Sequence, residues 1–152
     1  MDLLAVLPKL LPQAISWAEE EAARAAITGR SLTEDEASVA RKVGVRAADC
    51  IRIQSCEHLP LPLDPLLQAA AIQAGLLGPS MVGLTLGHSV FIRMGHESPR
   101  LLAHEFRHVF QVEQYGSIAA FLPVYLQQVI TVGYGNAPLE VDAREHEAAA
   151  TP

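Results

Sequence analysis

The sequence predicts an α+β fold, mostly helical, with a small antiparallel sheet of about three strands beside one central helix. Three observations carry that prediction. Apolar residues recur at a period near 3.6 in several segments that open on a capping residue or close on glycine. Other short stretches alternate at a period of two, the pattern of half-buried strands. Half of the residues are hydrophobic and 18% are charged, a composition that folds around a core.

The elements follow in order. Leu3, Leu7, Leu10, Leu11, Ala14 and Ala18 lie on one helical face that runs, disturbed early by Pro8 and Pro12, toward Thr28 and closes at Gly29. Thr33 followed by Glu36 is a capping box, which opens a helix over about Glu34 to Lys42 that stops at Gly44. Ile51 and Ile53 alternate with Arg52 and Gln54 as a strand. A proline-rich connection leads to Asp64, a helix cap, with Pro65 in the first helical position and the helix running to Gly75. Two short strands then flank a tight turn at Gly87-His88. Ser98 and Pro99 open a strong helix ended by Gly116. Ser117 starts the next, up to Thr131, with Pro123 either kinking it or marking its true beginning. Asn136 caps a last helix, with Pro138 in its first turn, through the acidic stretch to residue 149.

At 152 residues the chain is one domain's worth: a helical segment over 1–44, strands and a connecting helix over 45–98, and the last helices over 99–152. Net charge is −6 and no Lys/Arg cluster is present, which argues against nucleic acid as a partner. The first residues lack the basic region and cleavage site of a signal peptide, and no apolar run reaches the roughly 18 residues of a membrane span. Two cysteines, Cys50 and Cys56, fit a reducing compartment, so a cytoplasmic location is expected. The apolar N-terminal helix could line a cleft, plug it or mediate homo-oligomerisation.

The chemistry concentrates in His104-Glu105-Phe106-Arg107-His108. Two histidines four apart share one helical face, so both imidazoles can reach a single Zn2+. Glu105 projects about 100° away and flanks the metal as a general base. Zinc lowers the pKa of a water it binds to about 7, and the flanking carboxylate takes the proton as that water attacks a carbonyl. Three fixed positions match by accident in on the order of one chain in two hundred, so the helical setting, with Leu101, Leu102, Val109 and Phe110 to bury, adds weight.

A catalytic zinc has three protein ligands and an open position. Metzincins need a glycine where Gln111 stands and a histidine where Gln114 stands, which excludes them. The third-ligand candidates are Glu140, Asp142, Glu145, His146 and Glu147. Glu140 is preferred because it lies in the first turn of a helix, where the dipole favours a carboxylate, after a Gly-rich turn that can bring the chain back. The alternative is a solvated helix in which Glu140 pairs with Arg144. Tyr134 and His146 flank Glu140 and are candidates to stabilise a developing oxyanion.

A two-histidine, one-glutamate motif helix followed by a glutamate on another helix resembles the gluzincin class of zinc metallopeptidases in a compact form. Residues 82 to 145 are also similar to small bacterial proteins with a metal-dependent hydrolase motif. The resemblance implies a minimal zincin-like domain, with His104, His108 and Glu140 on Zn2+, Glu105 as base, and a peptide or protein as substrate. It further implies that an edge strand pairs with the substrate, and residues 89 to 94 are the natural candidate. Many gluzincins place an aspartate where Arg144 stands, so the group orienting a ligand must come from elsewhere. The function expected is a zinc-dependent hydrolase, with a non-catalytic, zinc-stabilised interaction domain as the alternative and a metal-free acidic binding module as a third.

Overall fold

The computed structural model describes residues 1–150. Helix α1 (Leu3–Thr28) is followed by strand β1 (Arg30–Ser31), helix α2 (Glu34–Lys42), strand β2 (Arg52–Cys56) and helix α3 (Pro65–Gln73). The hairpin β3 (Gly83–Leu86) and β4 (Ser89–Arg93) leads into helices α4 (Pro99–Tyr115), α5 (Ile118–Val132) and α6 (Pro138–Glu145). The fold is α+β, helix-rich with one small sheet, as the periodicities predict.

The helix starts follow the expected caps. Thr33 and Glu36 form the reciprocal box. Asp64, Ser98 and Ser117 each accept a backbone N–H from the first turn. Pro8 and Pro12 sit inside an unbroken α1. The carbonyl left without its partner at Leu4 is on an exposed residue, so water can satisfy it. Pro123 likewise lies inside α5, whose start is Ser117.

The sheet corrects the expectation in two ways. It has four strands in the order β1-β2-β4-β3, and β2 pairs with β4 in parallel. The two-residue β1 is too short to carry a periodicity. The parallel pair arises because α3 and a long connection lie between β2 and β4, which lets the chain cross over and return in the same direction. Consequently β4 is a central strand, not an edge. Ser89, Val90, Phe91 and Ile92 are all buried, Ser89 with its hydroxyl donating to the Ala22 carbonyl, the continuous burial of a strand covered on both faces.

One face packs Ile53, Val90 and Ile92 against Leu102, Phe106 and Val109 of α4. The other packs Phe91 and Leu86 against Ala18 and Ala25 of α1. The sheet is thus a middle layer, with α4 central beneath the hairpin. Gly87, at φ +66°, takes the first central position of the turn, where a side chain would be strained. The last helix also differs from expectation. Asn136 ends a 3-10 turn, so Ala137 takes the cap position without a side-chain hydrogen bond, and α6 stops at Glu145 before a second 3-10 turn, Glu147–Ala150. No single helix among the described residues is long and apolar enough to cross a membrane.

Candidate metal centre

Helix α4 is anchored by fully buried Phe106 and Val109, and the same turns carry His104 and His108 on the adjoining face, toward α5 and α6. The rings meet edge to face with centroids 4.9 Å apart. From α6, Glu140 enters between them, only 1% exposed. One carboxylate oxygen lies 3.1 Å from Nε2 of His104 and the other 2.9 Å from Nε2 of His108. The three residues offer ligand atoms within 4.8 Å of one another, a group that could hold a metal ion.

The far side of each ring is held as well. Nδ1 of His104 lies 3.0 Å from Glu147 Oε2, and Nδ1 of His108 lies 2.8 Å from Gln111 Oε1. Gln111 is oriented in turn, its amide donating to the Leu139 carbonyl and to Asp142. Both partner atoms accept, so each Nδ1 carries a proton and each Nε2 turns a lone pair to the centre when the ring is neutral. Two lone pairs and a carboxylate then face one another. Buried acceptors so arranged need positive charge between them, either protons on both rings or a cation. The donor set fits a divalent transition-metal ion that takes imidazole and carboxylate ligands, zinc among them.

The electrostatics agree. Burial works to lower the His104 pKa, but hydrogen bonding to Glu140 and the charges of Glu105 and Glu140 outweigh it and push it up to about 9. His108 moves in the same direction, with burial again opposing Glu140. Burial disfavours the Glu140 carboxylate, yet hydrogen bonds from His104, His108 and Tyr125 hold its pKa far below the usual range. A cation at this point would take over the role of those protons.

Glu105 stands beside the three-residue group, 4% exposed, its Oε2 3.9 Å from Nε2 of His104. Thr85 of β3 donates to its carboxylate at 3.0 Å. Burial raises the Glu105 pKa, opposed by the charges of His108 and His104. Strand β3 runs so close that a Cβ on Gly83 would stand 3.2 Å from the Glu105 carboxyl, tight enough to displace it. That glycine leaves space for the Glu105 carboxylate.

The third-ligand candidates divide cleanly. Asp142 is engaged by Arg107 at 2.7 and 3.1 Å, and Glu145 is exposed. Glu147 supports His104 from behind, and Arg144 donates to the Gly135 carbonyl rather than pairing with Glu140. Of the two proposed oxyanion donors, Tyr134 reaches the site, where burial and the charges of Glu140 and Glu105 raise its pKa and keep the hydroxyl protonated. His146 does not. Its Nδ1 lies 2.7 Å from the Asp142 carbonyl of its own helix, because the ring folds back over the last turn of α6.

Comparison with family models, curated proteins and solved structures finds no match.

Sequence reasoning missed Tyr125, whose hydroxyl donates to Glu140 at 2.7 Å and whose ring faces His108 edge-on. Its signal was faint: a phenol in an otherwise uncharged helix, stacked on Phe121 one turn earlier. Gln111 and Glu147 were legible only as a departure from metzincins and as a rival ligand. Their task of orienting the histidines needed the third dimension.

Proposed function

We propose that this chain is a zinc-dependent hydrolase of amide bonds, a compact gluzincin-like metallopeptidase in its chemistry. The observation that carries the reading is the convergence of His104, His108 and Glu140 on one point, with both rings oriented from behind and Glu105 free beside them. When bound, zinc would supply a Lewis acid that polarises a carbonyl and lowers the pKa of a water.

The chain's own groups do the rest. Glu105, raised in pKa by burial and steadied by Thr85, accepts a proton from the attacking water and returns it to the leaving nitrogen. Tyr134, protonated and close to Glu140, is the candidate donor to the developing oxyanion. Tyr125 is already spent on Glu140 and acts as a positioning residue. Strand β3 is the edge beside the base. Its register, with Leu86 opposite Ser89 across a two-residue turn, turns the backbone groups of Gly83 and Thr85 away from β4 and toward an incoming extended segment.

The alternative of a zinc-stabilised interaction domain asks for four protein ligands. The group that could hold a metal has three among the described residues, with a cavity on the side of Glu105, which favours the catalytic reading. The proposal carries a cytoplasmic setting, supported by the free thiols of Cys50 and Cys56.

The test is Glu105→Gln. Amide hydrolysis by the zinc-loaded protein is expected to fall by about 10²- to 10⁴-fold, the usual loss with a general base, while zinc content stays at the wild-type level. Unchanged turnover sinks the mechanism.

A further inference from the structure

The cavity beside the candidate metal centre is extended and largely apolar. At one end it is lined by Glu105, His108, Glu140, Thr85, Tyr125 and Tyr134. From there it runs between α1, α3, α5 and β3, and along α1 it follows the stripe Leu3, Leu7, Leu10, Leu11, Ala14 and Ala18. Those residues span roughly 22 Å at 1.5 Å per residue. The cavity is partly open to solvent, with a volume of about 140 Å³.

The walls match this shape in chemistry. No charged residue or histidine occurs between positions 65 and 87, the whole of α3, its following loop and β3, and none occurs in α5. Away from the metal end, apart from the indole N–H of Trp17, the lining is made of residues such as Leu67, Ala70, Leu76, Met81, Leu122 and Leu126, which offer no side-chain hydrogen-bond donor or acceptor of ordinary strength. A peptide could pair with Gly83 and Thr85 on β3, but carried on between α1, α3 and α5 it would bury further backbone N–H and C=O groups among apolar side chains without partners. A single amino-acid side chain would fill only the first few ångströms. A hydrocarbon chain meets neither objection.

We propose that the cavity takes a long unbranched aliphatic chain, and that the bond cleaved is the amide joining such an acyl chain to an amine or to a peptide's α-amino group. This rests on the hydrolase reading and names its substrate class. Water adds its oxygen to the acyl carbon, the C–N bond breaks, and both of its protons end on the departing nitrogen, the first by way of Glu105, so the chain leaves as a carboxylate and the amine as an ammonium. The amine side lies at the free edge of β3, where Gly83 and Thr85 present their backbone groups.

The chain carries one tryptophan, Trp17, and it lines this cavity, so binding can be read without turnover. Dodecanoate, added below its micellar concentration to wild-type and Glu105→Gln protein, is expected to change Trp17 fluorescence saturably. Acetate leaves it unchanged, and each methylene in between tightens binding by about three- to fourfold. Ala71→Phe and Ala74→Phe, at half-buried lining positions, are expected to weaken dodecanoate binding at least tenfold with wild-type zinc content and thermal midpoint. Two such variants guard against one that fails to fold. In turnover, the zinc-loaded protein is expected to prefer N-dodecanoyl over N-acetyl peptides in kcat/KM.

No saturable Trp17 response to dodecanoate, together with equal hydrolysis of N-acetyl and N-dodecanoyl peptides, overturns the chain proposal and leaves the hydrolase standing. Saturable chain binding with no hydrolysis of either peptide supports the cavity's ligand class while removing the hydrolase.

Discussion

Replacing Glu147 with alanine removes the carboxylate that accepts from His104 Nδ1 at 3.0 Å, while leaving His104, His108 and Glu140 in place. Zinc affinity then falls because the His104 ring loses both its preferred tautomer and its fixed orientation. Losses of this kind run from about 10- to 100-fold, or roughly 1.4 to 2.7 kcal/mol. The Glu147 side chain is 21% exposed and is shared with Arg100, so water can replace it in part and the loss sits near tenfold. Gln111 differs: it is 3% exposed and tied to Leu139 and Asp142, so nothing replaces it and Gln111→Ala moves toward 100-fold. Competition against a chromogenic zinc chelator gives both constants. An unchanged zinc Kd in both variants would refute the role assigned to these residues, and a larger loss at Glu147 than at Gln111 would refute the use of burial to rank them.

Two further predictions concern the scaffold. Phe106→Ala empties a fully buried site between α4 and the sheet, and unfolding in urea is expected to show a loss of about 3 to 5 kcal/mol; a loss under 1 kcal/mol would contradict the packing described. Glu113, although on α4, faces away from His104, His108 and Glu140 and accepts the backbone N–H groups of Arg46 and Ala47 at 2.8 and 3.0 Å. Glu113→Gln turns an amide donor toward one of them and is expected to cost about 1.5 to 3 kcal/mol near neutral pH. Burial opposes the charged form, but the Arg46, His88 and Ala47 contacts hold the folded carboxyl below its usual pKa. Its contribution is therefore present above the unfolded pKa of about 4.3 and is lost as pH falls through the lower folded value. Urea titrations from pH 7 down to pH 3 should show the gap between variant and wild type narrowing; a gap that widens in acid would contradict the assignment.

Local chemistry was well written in the sequence where a capping residue meets a periodic run. Thr33-Glu36, Asp64, Ser98 and Ser117 each signal a helix start by the hydrogen bond their side chain can make, and each makes it. The strands were legible as segments but not as a sheet. Arg30–Ser31 carries no pattern, and the burial of β4 on both faces shows only once α1 is known to cover the second one. In the site, His104 and His108 were brought together by helical spacing alone. Glu140 required a guess about how residues 133 to 138 return the chain to α4, and the geometry agrees with it. His146 was misjudged because α6 ends at Glu145 rather than running on to residue 149, and its ring turns back on Asp142.

On this proposal, His104, His108 and Glu140 form one zinc site. Metal analysis of untagged protein after reconstitution and exhaustive dialysis tests it most directly, alongside His108→Ala and Glu140→Ala. One zinc per wild-type chain and a zinc content near zero in both variants is the result predicted. No zinc in the wild type, or equal zinc in the variants, contradicts it.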